Sequence, residues 1–308
     1  MTMKQIAPNY YSHFRCIADR CRHSCCIGWE IDVDEESLEK YASLPGKLGE
    51  EIRTSIVTED ECAHFRLAEH ERCPFLNEQG LCRMILGFGE DVLCQICRDH
   101  PRFYSEFLGR TEVGLGLCCE AAAMLILSQN APGHLITLED DGENGEQDEY
   151  EEYLLALRAQ LLGLLEDESW SFDERLTNIL DLCGTALPEK SDAQWADIYR
   201  LLERLDSAWD CVLDTLTLPK KELGNEWDRP FINLAAYFLY RHIPAALDDG
   251  EVEAHAAFCV LSVQILRRLF AAATAQGMET LAELARLYSS EIEYSTENTD
   301  ALLAHCRG

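Results

Sequence analysis

The chain has 308 residues, 47% hydrophobic and 27% charged, enough for a sizeable core and for two domains of a globular protein. Its formal charge of −30 excludes the basic footprint that nucleic acid requires; it suits a basic partner or substrate, and equally a well-solvated helical surface. Residues 1–14 lack the apolar run of a signal peptide, and the most apolar window, 254–273, is interrupted by Gln264, Arg267 and Arg268. We therefore expect a cytoplasmic protein with no membrane span, and reduced thiols.

Four thiols open the chain, Cys16, Cys21, Cys25 and Cys26, within eleven residues. A hydrophobic core does not need thiols at that density, and reduced soft ligands so close in sequence point to a metal or an iron–sulfur cluster. Residues 29–33 then alternate apolar and acidic as a half-buried strand does, and Asp34 has the character of an N-cap before a helix carrying Leu38 and Tyr41. Residues 63–67 and 81–85 read as short strands. Between Cys73 and Cys82, the turn residues Asn77-Glu-Gln-Gly80 let the chain fold back and bring both sulfurs together. Cys94 and Cys97 are spaced for one helical turn. Residues 104–117 read as a hairpin around Gly109, and 119–129 as a helix that follows Cys118 and Cys119.

Eleven of the fifteen cysteines lie in residues 1–119, whereas Cys183, Cys211, Cys259 and Cys306 fall on apolar helical stripes and read as core residues. The acidic, glycine-containing stretch 138–152 marks the composition break. Beyond it come helices. Ser171-x-x-Glu174 and Ser191-x-x-Gln194 are capping boxes, Pro230 suits a first helical turn, and further helices are expected near 253–273, 278–288 and 296–305. The expected architecture is mainly α: a small Cys-rich α+β metal-binding region (1–137), an acidic linker (138–152), and an all-α helical domain (153–308).

Four thiolates satisfy tetrahedral zinc and a [4Fe–4S] cluster equally well. Adjacent cysteines point apart, so one of Cys25 and Cys26, and one of Cys118 and Cys119, is expected as a primary ligand. A radical S-adenosylmethionine loop is not present, because Gly28 stands where its third cysteine is needed. Dinucleotide, Walker, His-Glu-x-x-His and Gly-x-Ser-x-Gly motifs are also missing.

The blocks CIADRCRHSCCIGWEIDVD, CPFLNEQGLCRM, CQICRDHPRF and GLGLCCEAAAMLI together resemble the flagellin lysine-N-methylase family, which shares its cysteine pattern with a broader zinc- or iron-chelating domain. Ser171-Phe-Asp-Glu-Arg175-Leu is similar to a helical segment of that family, and Leu287-Tyr-Ser-Ser-Glu-Ile-Glu-Tyr-Ser-Thr-Glu-Asn298 to its closing signature. The resemblance implies methyl transfer from S-adenosylmethionine to surface lysines of flagellin, with an iron–sulfur cluster preferred over zinc. The thiols it matches are Cys16, Cys21, Cys25, Cys73, Cys82, Cys97 and Cys119, with Cys26 beside them; Cys62, Cys94 and Cys118 fall outside the pattern.

A lysine, with an unperturbed pKa of about 10.4, must lose a proton before it attacks a sulfonium methyl. Glu112 and Glu120 beside the last thiol block, and Glu291, Glu293 and Tyr294 in the closing signature, are the candidates to orient the amine and take that proton. Arg98, His100 and Arg102 are candidates to hold the carboxylate of the methyl donor or the charge of a cluster. The alternative function is a non-enzymatic zinc- or iron-binding or electron-transfer module with a helical protein-docking domain.

Overall fold

Apolar residues at helical spacing dominate the chain, and the resulting fold is mainly α. The computed structural model describes residues 4–59, 62–140, 142 and 148–307. In chain order the elements are β1 (Lys4–Pro8), α1 (Glu35–Ala42), α2 (Gly46–Ser55), β2 (Ile56–Glu59), β3 (Cys62–Phe65), α3 (Arg83–Phe88), α4 (Gln95–Asp99), β4 (Arg102–Phe107), β5 (Arg110–Leu115), α5 (Glu120–Leu127) and β6 (Leu135–Glu139). Helices follow: α6 (Glu149–Glu166), α7 (Phe172–Leu182), α8 (Asp192–Leu201), α9 (Ala208–Thr215), α10 (Asp228–His242), α11 (Ala246–Asp249), α12 (Val252–Ala272), α13 (Met278–Tyr288) and α14 (Thr296–Cys306).

Two units result: Arg15–Phe103, and Met1–Phe14 together with Tyr104–Gly308. This differs from the division at 138–152 suggested by composition. Of that stretch, residues 141 and 143–147 lie outside the described residues, while its flanks belong to β6 and α6 of one unit.

In the unit Arg15–Phe103, Asp34 caps α1 by accepting from the Ser37 N–H at 3.0 Å. β2 and β3 pair antiparallel, from Ile56 opposite Phe65 to Glu59 opposite Cys62. Residues 29–33 do not extend this sheet: one bridge, Asp32 with His64, docks the stretch, helped by the Val33 N–H donating to Ala63 O at 2.7 Å. The stretch 81–85, expected as a strand, instead leads into α3, with Cys82 at its N-cap. A short apolar run is compatible with either state. The core combines Ile31, Tyr41, Ile52, Phe65 and Phe75, with the Phe65 and Phe75 rings edge-on at 5.0 Å.

In the other unit β1 runs parallel to β5, with Lys4 opposite Arg110, and antiparallel to β6, with Pro8 opposite Leu135; the sheet order is β4-β5-β1-β6. The helices of residues 149–306 therefore share their unit with a sheet. Both capping boxes form, at Ser171 with Glu174 and Ser191 with Gln194, and Gly184 closes α7 with a φ of 67°. Arg175 is buried, donating to Leu165 O at 2.8 Å and Trp170 O at 2.9 Å, so it ties the end of α6 to the start of α7. Helix α12 is long and apolar enough to cross a bilayer, yet 83% of its apolar window is buried inside the protein, as in a core helix.

Candidate functional site

Thiols gather in the core of residues 15–103. Cys73 and Cys94 are buried among Tyr41, Phe75, Met84 and Val92, and Cys26, Cys82 and Cys97 pack against the same cluster. The chain brings them there by local devices. The Cys73 N–H donates to Cys26 O at 2.8 Å, and the Gly28 N–H to Glu71 O at 3.1 Å, so the end of the first thiol block lies alongside residues 71–73. Cys73 and Cys82 face each other across a turn in which Asn77 Oδ1 accepts from the N–H groups of Gln79 and Leu81, both at 2.9 Å, and Gly80 takes a φ of 74°. Cys94 caps α4 and Cys97 lies one turn on; Asp34 Oδ2 accepts the Gln95 N–H at 2.7 Å and fixes that turn against α1.

The electrostatics are those of thiols in mutual reach. Burial pushes Cys73 up to about 12, with Cys26, Cys82 and Cys94 adding to it. Cys82 is raised by burial, and Cys26 and Cys94 contribute. Cys26 is lowered to about 7, chiefly by the hydrogen bond with Cys25, with Ser24 and the Arg72 guanidinium also helping against burial. The hydrogen bond between Cys94 and Cys97 lowers Cys94 and, with burial, raises Cys97.

Tyr41 presents a buried hydroxyl without a well-formed hydrogen bond; it approaches Cys94 and Ser37. Among the described residues no three His, Cys, Asp or Glu side chains stand closely enough to hold an ion as placed. The donor chemistry nonetheless fits a metal: five soft sulfurs share one apolar cluster, with an orphaned hydroxyl ready to donate to an anionic sulfur.

The remaining predicted ligands lie elsewhere. Cys16 is exposed and accepts from the Ala18 N–H at 3.4 Å, a contact made with Ala18 at a φ of 50°. Cys21 donates to His23 O at 3.3 Å, and Cys25 is exposed beside Cys26. Cys119, at the N-cap of α5, belongs to the other unit. Cys94, which the family pattern passes over, sits inside the cluster. Its Cys-x-x-Cys spacing was the available signal.

Of the donor-binding candidates, Arg98 is exposed on α4, and Arg102 donates to Arg98 O at 2.9 Å. His100 is lowered to about 4 by burial and by Arg102, so its ring is neutral at physiological pH and cannot serve as a cation.

The second cluster lies in the other unit, where the last thiol block meets the closing signature. The Tyr294 hydroxyl approaches Cys118, and the Arg241 guanidinium lies 5.4 Å over the Tyr294 ring. Glu293 is fully buried on a π-helical turn, Ser289–Glu293, that continues α13. It binds Arg241 Nε at 3.2 Å, His242 Nε2 at 2.7 Å and the Tyr237 hydroxyl at 2.9 Å. The Tyr237 oxygen in turn accepts the Leu117 N–H at 3.3 Å. Burial alone would raise Glu293, but Arg241 and His242 overcome it and hold the carboxyl down at about 2. A carboxylate so paired is a poor proton acceptor at neutral pH. Burial pushes the Cys118 thiol up to about 12, against the opposing pull of Tyr294 and Arg241. Tyr294 itself is 47% exposed, the open end of the network.

Glu291 has a different task. Fully buried, it accepts from the N–H groups of Leu205 and Asp206 and pairs with Arg204 at 3.0 Å, while Asn298 Nδ2 donates to Glu291 O at 2.7 Å and Glu203 O at 2.9 Å. Together they fasten residues 203–206 to the start of α14. Glu112 is also buried, ion-paired to Arg110 and, at 2.7 Å, to Arg158. Glu120 is half-buried in the first turn of α5, directly after Cys119. Arg241, His242 and Tyr237 were missed in the sequence because they read as the polar positions of an apolar helix.

Among curated proteins, the chain is 27% identical over 135 residues to a protein named Lysine-N-methylase from Salmonella choleraesuis, covering 41% of this chain and 34% of that one. The Lysine-N-methylase of Salmonella typhimurium matches to the same extent. A protein named Flagellar biosynthetic protein FliU, from Salmonella muenchen, is also 27% identical over 135 residues, with 80% of it covered. The match thus spans about a third of the length of the two lysine-N-methylases. No family model matches the chain, and no solved structure does. The chain resembles the lysine-N-methylases.

Proposed function

We propose that the protein is an S-adenosylmethionine-dependent lysine N-methyltransferase acting on surface lysines of flagellin in the cytoplasm, with a cysteine-bound iron–sulfur cluster. The observation that carries this reading is the approach of the Tyr294 hydroxyl to Cys118, which brings together two separate stretches resembling one family. The similarity to proteins named Lysine-N-methylase and to a flagellar biosynthetic protein supports it. The formal charge of −30 suits a substrate presenting lysines.

In the reaction the neutral lysine nitrogen attacks the sulfonium methyl. The sulfur–carbon bond breaks, S-adenosylhomocysteine leaves, and the proton shed by the ammonium passes to a nearby base or water. Tyr294 is the group of its cluster that would meet the incoming amine. Glu293 acts through Arg241 as a positioning residue, and Glu120, half-buried in the first turn of α5, is the second candidate acid. Glu112 supports the sheet.

Cys26, Cys73, Cys82 and the Cys94–Cys97 pair would hold the metal centre; the family resemblance also implies Cys16, Cys21, Cys25 and Cys119 as ligands. When bound, such a cluster supplies a Lewis-acidic or redox-active iron. Anaerobic purification with metal analysis, followed by equilibrium dialysis against labelled S-adenosylmethionine, tests the reading. Iron with saturable donor binding supports it; stoichiometric zinc without iron removes the cluster. A bound metal with no donor binding favours the non-enzymatic module.

A further inference from the structure

A protein with a formal charge of −30 gathers four of its cations around one cleft. Lys220 and Lys221, from the segment after α9, face Arg267 and Arg268 on α12, around a volume of about 250 Å³ with Leu223 and Ala271 as apolar wall. Two carboxylates answer the four cations. Asp192, at the start of α8, takes Lys220 on one oxygen and Arg268 on the other at 3.0 Å. Asp173, in the first turn of α7, takes Arg267. Lys221 Nζ donates to the carbonyls of Ala273 at 3.0 Å and Thr274 at 2.8 Å, which orient the ammonium without neutralising it. Arg267 is further held with its guanidinium 5.2 Å over the Phe172 ring.

The arrangement is preorganised. Lys220 Nζ spends its three donors on Asp192 and on the carbonyls of Leu216 at 2.8 Å and Leu218 at 3.4 Å and contributes its charge alone, whereas the contacts of Lys221, Arg267 and Arg268 use only part of their donor capacity, since a guanidinium has five N–H groups and an ammonium three. Ion pairs that merely tie α7 and α8 to α12 would need no excess of positive charge. Here the cleft carries a surplus of two charges in a molecule whose overall field repels anions. Adjacent forks and ammonium groups match the three terminal oxygens of a phosphate dianion better than they match a single carboxylate.

We infer that this cleft binds a phosphate dianion, as the free ion or as the head of a small phosphomonoester. The inference does not rest on methyl transfer. The test is isothermal titration of the full chain with inorganic phosphate and with phenyl phosphate at low ionic strength, in the wild type and in K221Q and R267Q. Saturable one-site binding is expected, weakened about tenfold in each variant, the scale of one lost charge-assisted contact. Lys221 touches no carboxylate in the cleft and a glutamine amide can still donate to the Ala273 or Thr274 carbonyl, so K221Q should fold and remain informative if R267Q folds poorly. Tighter binding of phenyl phosphate assigns the site to a monoester, and equal binding to the free ion. Absence of saturable heat, or binding undiminished in K221Q, overturns the proposal.

Discussion

The main-chain N–H of Cys73 donates to the carbonyl of Cys26 at 2.8 Å, which holds two thiol blocks from separate stretches in one fixed register. Around that contact Cys82, Cys94 and Cys97 join one apolar cluster, and these sulfurs are the ones proposed to hold a soft metal.

Cys94→Ser is expected to lose most of the bound metal, as are Cys73→Ser and Cys82→Ser, whereas Cys211→Ser, on an exposed helical position of the other unit, keeps it. Metal content per chain after anaerobic purification checks this. Retention of full metal by Cys94→Ser would remove that thiol from the site.

Glu293→Gln is expected to destabilise the protein at pH 7 by on the order of 3 kcal/mol, because it leaves Arg241 buried without its counter-charge. The pH dependence follows from the depressed carboxyl, about 2 in the fold against 4.5 ordinarily. Its contribution is fully present above pH 4.5 and is lost as pH falls through 2. Urea unfolding of both proteins across this range should show the gap between them narrowing toward acid. A constant gap would contradict the assigned charge state.

Tyr294→Phe removes only the hydroxyl that meets Cys118 at the exposed end of the network. Methylation by this variant should fall by about tenfold to a hundredfold, the range of a single proton-handling or orienting group, with an unchanged melting temperature. Full activity would exclude Tyr294 from the acceptor site.

Ser171→Ala breaks one capping box and should cost about 1 kcal/mol without altering metal content. Denaturant unfolding and metal analysis on the same preparation check both halves of this expectation.

Local signals carried much of this fold. The Asp34 cap, the Ser171 and Ser191 boxes and the turn at Asn77 act through atoms a few residues away, so their sequence patterns survive intact. Long-range pairing left no such mark. β1 joins β5 and β6 across more than a hundred intervening residues, and it is this pairing that moves the unit boundary away from the acidic stretch. Cys82 and the apolar run after it fitted a strand as well as the helix they form. At the second cluster, Glu293 and Tyr294 were legible as a motif, but Arg241 and His242 were hidden in α10, since ion pairing inside a core has no sequence period.

Methyl transfer to lysine is tested most directly by the intact mass of purified flagellin after anaerobic incubation with the full chain and S-adenosylmethionine. Increments of one methyl group on lysine are expected, absent without the donor and reduced with Tyr294→Phe. Flagellin of unchanged mass, in the presence of metal-loaded protein that retains its fold, would contradict it.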